Sequence, residues 1–291
     1  MVLMAVGISG IALSQNRAPA QSTRHKAVQP GPAVRSSGTT ATQPDTSFLF
    51  PGEDLLYEVS YLGLKLGTVR IHTVRTDIAE QGTHHHVMAM IDTYEGIPFV
   101  DLHAIDSSMM DTAFYSKEFR AMEKKNDKWV KEVAHYERDS GRILIRRTSH
   151  AHPRAMESGE VYLDTLRITG DIHDGLSLFF FARANIRRQG NISIPTVAYG
   201  KVGTTHFRFG SERSTEEIKA EPDKQIRVIK LEGNAEFSGL YGMTGDFKGW
   251  FSDDAAAVPI KAELGVFLGN VKLELVGWKR AGWVPPFATE N

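Results

Sequence analysis

The chain contains no cysteine. Disulfide staples, a thiol nucleophile, thiolate metal ligands and the lipidated cysteine of a lipoprotein are all excluded. An excess of charge is lacking too, because 34 basic and 35 acidic residues leave a net charge of -1. No overall field draws in nucleic acid or anionic lipid, and nucleic acid is not an expected partner. Gly-x-Ser-x-Gly, the phosphate loop, Gly-x-Gly-x-x-Gly and His-Glu-x-x-His are also missing, so no catalytic residue and no cofactor is assigned from motifs. A transmembrane helix needs about 20 apolar residues, and the run from Val2 to Leu13 is shorter.

That run, followed by Ala18-Pro19-Ala20, instead predicts a signal peptide over residues 1–20, although no basic residue precedes it. Export, to a periplasm, is the expected consequence. Residues 21–47 are rich in Ser, Thr, Pro, Gln and Ala without apolar periodicity. Such a segment buries too little to offset its ordering entropy and reads as a disordered tether. Residues 48–284 are expected to form a single β-rich domain.

From Leu55 onward the apolar residues recur at every second position, as Leu55, Tyr57, Val59 and Tyr61 do, and the phase flips at Gly67. That pattern predicts strands with a bulge at the glycine. A similar hairpin closes the chain, Val258 to Leu264 and Val271 to Leu275, and the two hairpins are expected at or near the edges of one curved sheet. Short strand-like runs divided by Gly, Asn, Asp and Pro fill the interval. One segment departs from this pattern: from Ile172 to Arg187, apolar residues spaced by three and four, with acids first and arginines last, predict a short amphipathic helix. The expected fold is mainly β, an antiparallel curved sheet or sheets, barrel-like or sandwich, with that helix as a plug or cap.

The stretches "FPGEDLLYEVSYLGLKLG", "DGLSLFFFAR" and "GWFSDDAAAVPIKAELGVFLGNVKLEL" resemble exported bacterial proteins of the domain of unknown function (DUF) 3108 family. The resemblance spans roughly residues 50–278 and implies an envelope location and a β-rich fold. It carries no established activity.

Two sets of side chains are candidates for function. On a strand, His84 and His86 share a face with Met88 and Met90, about 7 Å between alternate positions, which suits a soft or borderline metal if His72, His103 or Asp106 completes the site. The competing reading is a polar strand end followed by two core methionines. The second set is aromatic and thioether: Tyr57, Tyr61, Met88, Met90, Phe179, Phe180 and Trp250 could line an apolar ligand groove in a curled sheet, or could be ordinary core. Asp253-Asp254 reads as a turn, and Glu53 as a partner for backbone or an arginine. The leading expectation is a non-enzymatic binding module for an apolar or amphipathic molecule or an envelope partner. A His-dependent metallohydrolase and a structural interaction module are the alternatives.

Overall fold

The computed structural model describes residues 45–288, apart from 81, 98–100, 126–127, 153, 155–158, 199 and 237–242. The expected signal peptide and the tether as far as residue 44 lie outside the described residues. The strands are Asp54–Tyr61 (β1), Leu64–Ala79 (β2), Gly82–Thr93 (β3), His103–Met110 (β4), Ser116–Lys125 (β5), Lys128–Glu137 (β6), Arg142–His150 (β7) and Val161–Arg167 (β8). After the helix Gly175–Asn185 (α1) follow Gly190–Ala198 (β9), Lys201–Ile218 (β10), Glu221–Ala235 (β11), Met243–Ser252 (β12), Pro259–Val266 (β13) and Gly269–Lys279 (β14).

All 14 strands belong to one antiparallel, curved, unclosed sheet in the order β8-β7-β6-β5-β4-β3-β2-β1-β14-β13-β12-β11-β10-β9. The first and last hairpins therefore meet in the middle of the sheet, not at its edges. Their patterns match because they are partners: Tyr57 lies opposite Leu275 and Val59 opposite Leu273, and all four are buried. The expected bulge is at the turn-proximal end of β2, where Val59 faces Gly67 and Ser60 faces Lys65, leaving Leu66 unmatched. Glycine is required at 67, since a Cβ there would lie 2.1 Å from the Asp92 carbonyl oxygen.

The edges are β8 and β9. β8 is almost wholly exposed and lacks apolar alternation, which is why the sequence reading passes over it. The segment before α1 straps one side of the curl to the other: Ser116 N–H donates to the Ile172 carbonyl, while His173 N–H donates to Pro195 and Val197 N–H to His173. Asp174 then caps α1, its carboxylate accepting from Ser177 N–H at 2.8 Å. The helix is buried nearly all round, Leu176, Leu178, Phe179, Phe180 and Ala182 joining the apolar core, so it plugs the sheet and is not amphipathic as expected. Arg183 ties the plug to the sheet by donating to both Glu53 oxygens at 2.6 and 3.2 Å and to the Ala256 and Ala257 carbonyls. Arg280 donates to the same carboxylate at 2.5 Å, as the reading of Glu53 anticipates.

The long β10–β11 hairpin breaks register after Phe209, and its far end folds back over the outer face of the central strands. There Lys219 bonds both Glu58 on β1 and Glu274 on β14, and Glu216 pairs with Lys261 on β13.

Candidate functional site

Pairing register sets one row of inward residues across five strands: Ala89 on β3, Asp106 on β4, Ala121 on β5, Glu132 on β6 and Arg147 on β7. All five are buried. Alternation alone dictates this, since Asp106 shares its strand face with Ala104, Ser108 and Met110, and Glu132 shares its face with Ala134 and Tyr136. Alanine stands opposite Asp106 on both neighbouring strands, Ala89 on β3 and Ala121 on β5. Arg147 Nε donates to Glu132 Oε2 at 2.5 Å. Among the described residues neither Asp106 oxygen has a hydrogen-bond partner, and nor does Arg147 Nη2. Phe119, Ile143, Ile145, Ile172 and Val197 supply apolar wall beside this row.

Burial pushes the Asp106 carboxyl well above its ordinary range, and Glu123, Asp174 and Glu132 push it the same way. A neutral acid that can donate is thereby favoured. Asp174 is raised by burial, against which the hydrogen bonds from Ser108, Ser177 N–H and Ser116 work. His173, between Tyr115 and Phe181 rings, is lowered by burial to about 3 and is a neutral imidazole. For Glu53, burial works upward, but Arg183 and Arg280 together outweigh it and hold the carboxylate ionised.

The residues proposed for an apolar groove fall on two faces. Tyr57, Phe179 and Phe180 are inward and buried, with the Tyr57 hydroxyl donating to the Pro259 carbonyl at 2.9 Å. The space between Tyr57, Phe179, Phe251 and Leu273 amounts to about 20 Å³. Tyr61 sits half-buried at the end of β1 and donates to the Leu268 carbonyl. Met88 and Met90 are half-buried on the face opposite Val87, Ala89 and Ile91. Trp250 alternates with the inward Gly249 and Phe251 and carries Lys261 Nζ 4.6 Å over its ring. His84 and His86 share the outer face of β3, and His86 Nε2 lies 2.9 Å from Asp77. Among the described residues no three His, Cys, Asp or Glu side chains come together to hold a metal ion. Asp254 Oδ1 accepts from Ser252 Oγ, Ala256 N–H and Ala257 N–H, which makes it the pivot of a turn.

A polar concavity of about 680 Å³ lies on the outer face of β9 to β14, lined by Asn191, Arg208, Asn234, Asp246, Lys248 and Glu263. On its floor Ser193 Oγ is 2.8 Å from His206 Nδ1, and His206 Nε2 is 3.6 Å from Glu236. All three are exposed, and Ser193 lies within an extended strand in ladder register with His206. A nucleophilic serine is aimed from a strained turn beside backbone N–H donors, and this one is not so placed.

No curated protein matches the chain. Among solved structures it is similar to a beta-barrel-like protein of domain of unknown function DUF1849 from Brucella abortus, at 11% identity and TM-score 0.48, covering 79% of this chain and 97% of that one. It is also similar to a putative exported protein with YmcC-like fold from Bacteroides fragilis, at 8% identity and TM-score 0.35, covering 80% and 99% respectively. The family model described as Protein of unknown function (DUF3108) matches residues 56–276, and the chain belongs to that family.

Proposed function

We propose that this chain is an exported, non-enzymatic binding module of the cell envelope that holds an amphipathic molecule, or an apolar segment of an envelope partner with one polar group, inside the curled sheet. The observation that carries the reading is the pair of buried groups left without a partner, the Asp106 carboxyl and Arg147 Nη2. Leaving such groups unpaired costs about 1–3 kcal/mol each, more for a charged one, which a ligand's polar group would recover. Phe119, Ile143 and Ile145 would take its apolar part, with Tyr57, Phe179 and Phe180 forming the filled wall beyond. Export rests on the apolar run before Ala18-Pro19-Ala20; N-terminal sequencing of the envelope fraction should find the mature chain beginning near Gln21, and an intact Met1 in the cytosol would overturn it.

Organic extracts of protein purified from its host, analysed by mass spectrometry, test the binding. A co-purified amphipath, depleted in Asp106→Ala and Arg147→Met variants that remain folded, is the expected result. A folded wild-type protein that carries none and takes up no fluorescent fatty acid or phospholipid probe would overturn the reading.

A further inference from the structure

One end of the sheet carries an apolar prominence that the fold does not use. Leu62, at the β1–β2 turn, is 77% exposed, and Phe267 and Leu268, which form the β13–β14 turn, are 79% and 77% exposed. The turns adjoin because β1 pairs with β14: Tyr61 reaches the Leu268 carbonyl at 2.6 Å, and a Cβ on Gly269 would stand 3.6 Å from the Leu62 side chain. Leu64, 51% exposed, continues the prominence. Folding does not account for these residues. Two-residue hairpin turns favour Asn, Asp and Gly, and Leu62 has φ 48, a left-handed conformation that costs a leucine roughly 1 kcal/mol or more. A strained apolar side chain facing water points to something outside the chain.

Directly below Leu62 on the outer face lies a cleft of about 370 Å³ lined by Ser60, Lys65, Lys219, Asn270, Lys272 and the carboxylates Glu58 and Glu274. Lys65 pairs with Glu58, and Lys219 is held between Glu58 and Glu274. Lys272 makes no ion pair among the described residues. Three ammonium groups against two carboxylates leave the cleft positive, with Ser60 and Asn270 as further polar groups. An apolar tip above and a cationic, hydrogen-bonding recess immediately beneath it, with Leu62 itself on the recess wall, match the two layers of a phospholipid surface: acyl chains, then phosphates.

We propose that this end of the sheet docks on an anionic phospholipid surface, with Leu62, Phe267 and Leu268 entering the acyl boundary and a lipid phosphate seated against Lys65, Lys219 and Lys272. The net charge of -1 supplies no long-range attraction, so docking depends on this local match and weakens only modestly with salt. The docking surface is separate from the interior and does not depend on a ligand there.

The absence of cysteine makes the test site-specific. Leu268→Cys, labelled with an environment-sensitive dye in the protein purified from its host, should shift to the blue on vesicles of phosphatidylglycerol and much less on phosphatidylcholine. Inorganic phosphate at millimolar concentration should not reverse the shift. Phe267→Ser in that labelled background should weaken vesicle binding roughly tenfold or more. Lys272→Glu should abolish the preference for the anionic lipid. Leu62→Asn removes strain, so a loss of binding in a variant that melts no lower than its parent is expected and cannot be ascribed to unfolding. An unshifted dye on both vesicles, variants that bind as well as their parent, or a concentration-dependent shift without lipid, the mark of a second copy as occupant, would each overturn the proposal.

Discussion

Replacing Glu53 with Ala would remove one carboxylate that the buried Arg183 and the half-buried Arg280 share. Glu53 is 1% exposed, bonded to Arg183 at 2.6 and 3.2 Å and to Arg280 at 2.5 Å. Arg183 is 2% exposed, and its other donors reach only the Ala256 and Ala257 carbonyls. Removing the acid leaves the Arg183 guanidinium without a counter-charge where water cannot replace it, a change that typically costs about 3–5 kcal/mol. At about 2–4 °C per kcal/mol for a domain of this size, the melting temperature should fall by roughly 6–20 °C. Urea denaturation followed by tryptophan fluorescence, with an unchanged m-value, measures the loss directly. The internal control is Arg208→Ala: its pair with Glu232 is solvent-exposed and should be worth about 1 kcal/mol or less. Because Glu53 is held below its ordinary pKa, its stabilisation is present above the unfolded pKa and is lost as pH falls through the folded one. Glu53→Gln should therefore lack that part of the acid transition. A Glu53→Ala loss no larger than the Arg208→Ala loss would refute the view that this triad holds the plug.

Asp106 has the opposite sign. With its native pKa raised, stability is full below the unfolded pKa and is lost as pH rises toward the folded one. Asp106→Asn should gain stability over wild type at about pH 8 relative to about pH 4, read by urea midpoints at both, and an equal difference at the two would sink the assignment. Phe180→Ala, at a position with no exposure, should cost about 3–5 kcal/mol; a loss under about 1 kcal/mol would mean that α1 is not packed core. Zinc in modest excess should leave the melting temperature unchanged, since no group of three ligands gathers among the described residues, and a rise abolished by His84→Ala and His86→Ala would show a site.

Much of the sheet was open to sequence reading because half-buried strands alternate, and Leu55 to Val59 or Val271 to Leu275 do so plainly. β8 was not, because a strand paired on one side and solvated on both faces has no apolar phase to detect. Alternation also leaves the sign of each face open: Met88 and Met90 follow the same period as Val87, Ala89 and Ile91, and only the pairing with β2 and β4 decides which set turns inward. Trp250 illustrates the same ambiguity: it is buried although it faces outward, with Lys261, held by Glu216 of the folded-back β10–β11 arm, over its ring. The polar row was within reach. Asp106 in "HAIDSSMM" and Glu132 in "KWVKEVAHYE" stand in phase with residues that prove to be buried, and a charge in the apolar phase of a strand is the signal that would have found them. The alignment of Asp106, Glu132 and Arg147 in one row depends on register, which one sequence does not reveal.

The pairing of β1 with β14 also governs the order in which the molecule can be assembled. Each other strand pair in the sheet joins neighbours along the chain, so two meanders, β1 to β8 and β9 to β14, can form locally as the chain is delivered N-terminus first. The ladder that sews them together brings Tyr57 to Leu275 and must wait for the last strand to be made. Until then β1 presents a bare row of backbone donors and acceptors, the kind of edge that invites wrong partners. The centre of the finished sheet is thus the last part of it to exist, and a chaperone that shields one strand, β1, would guard the whole interval.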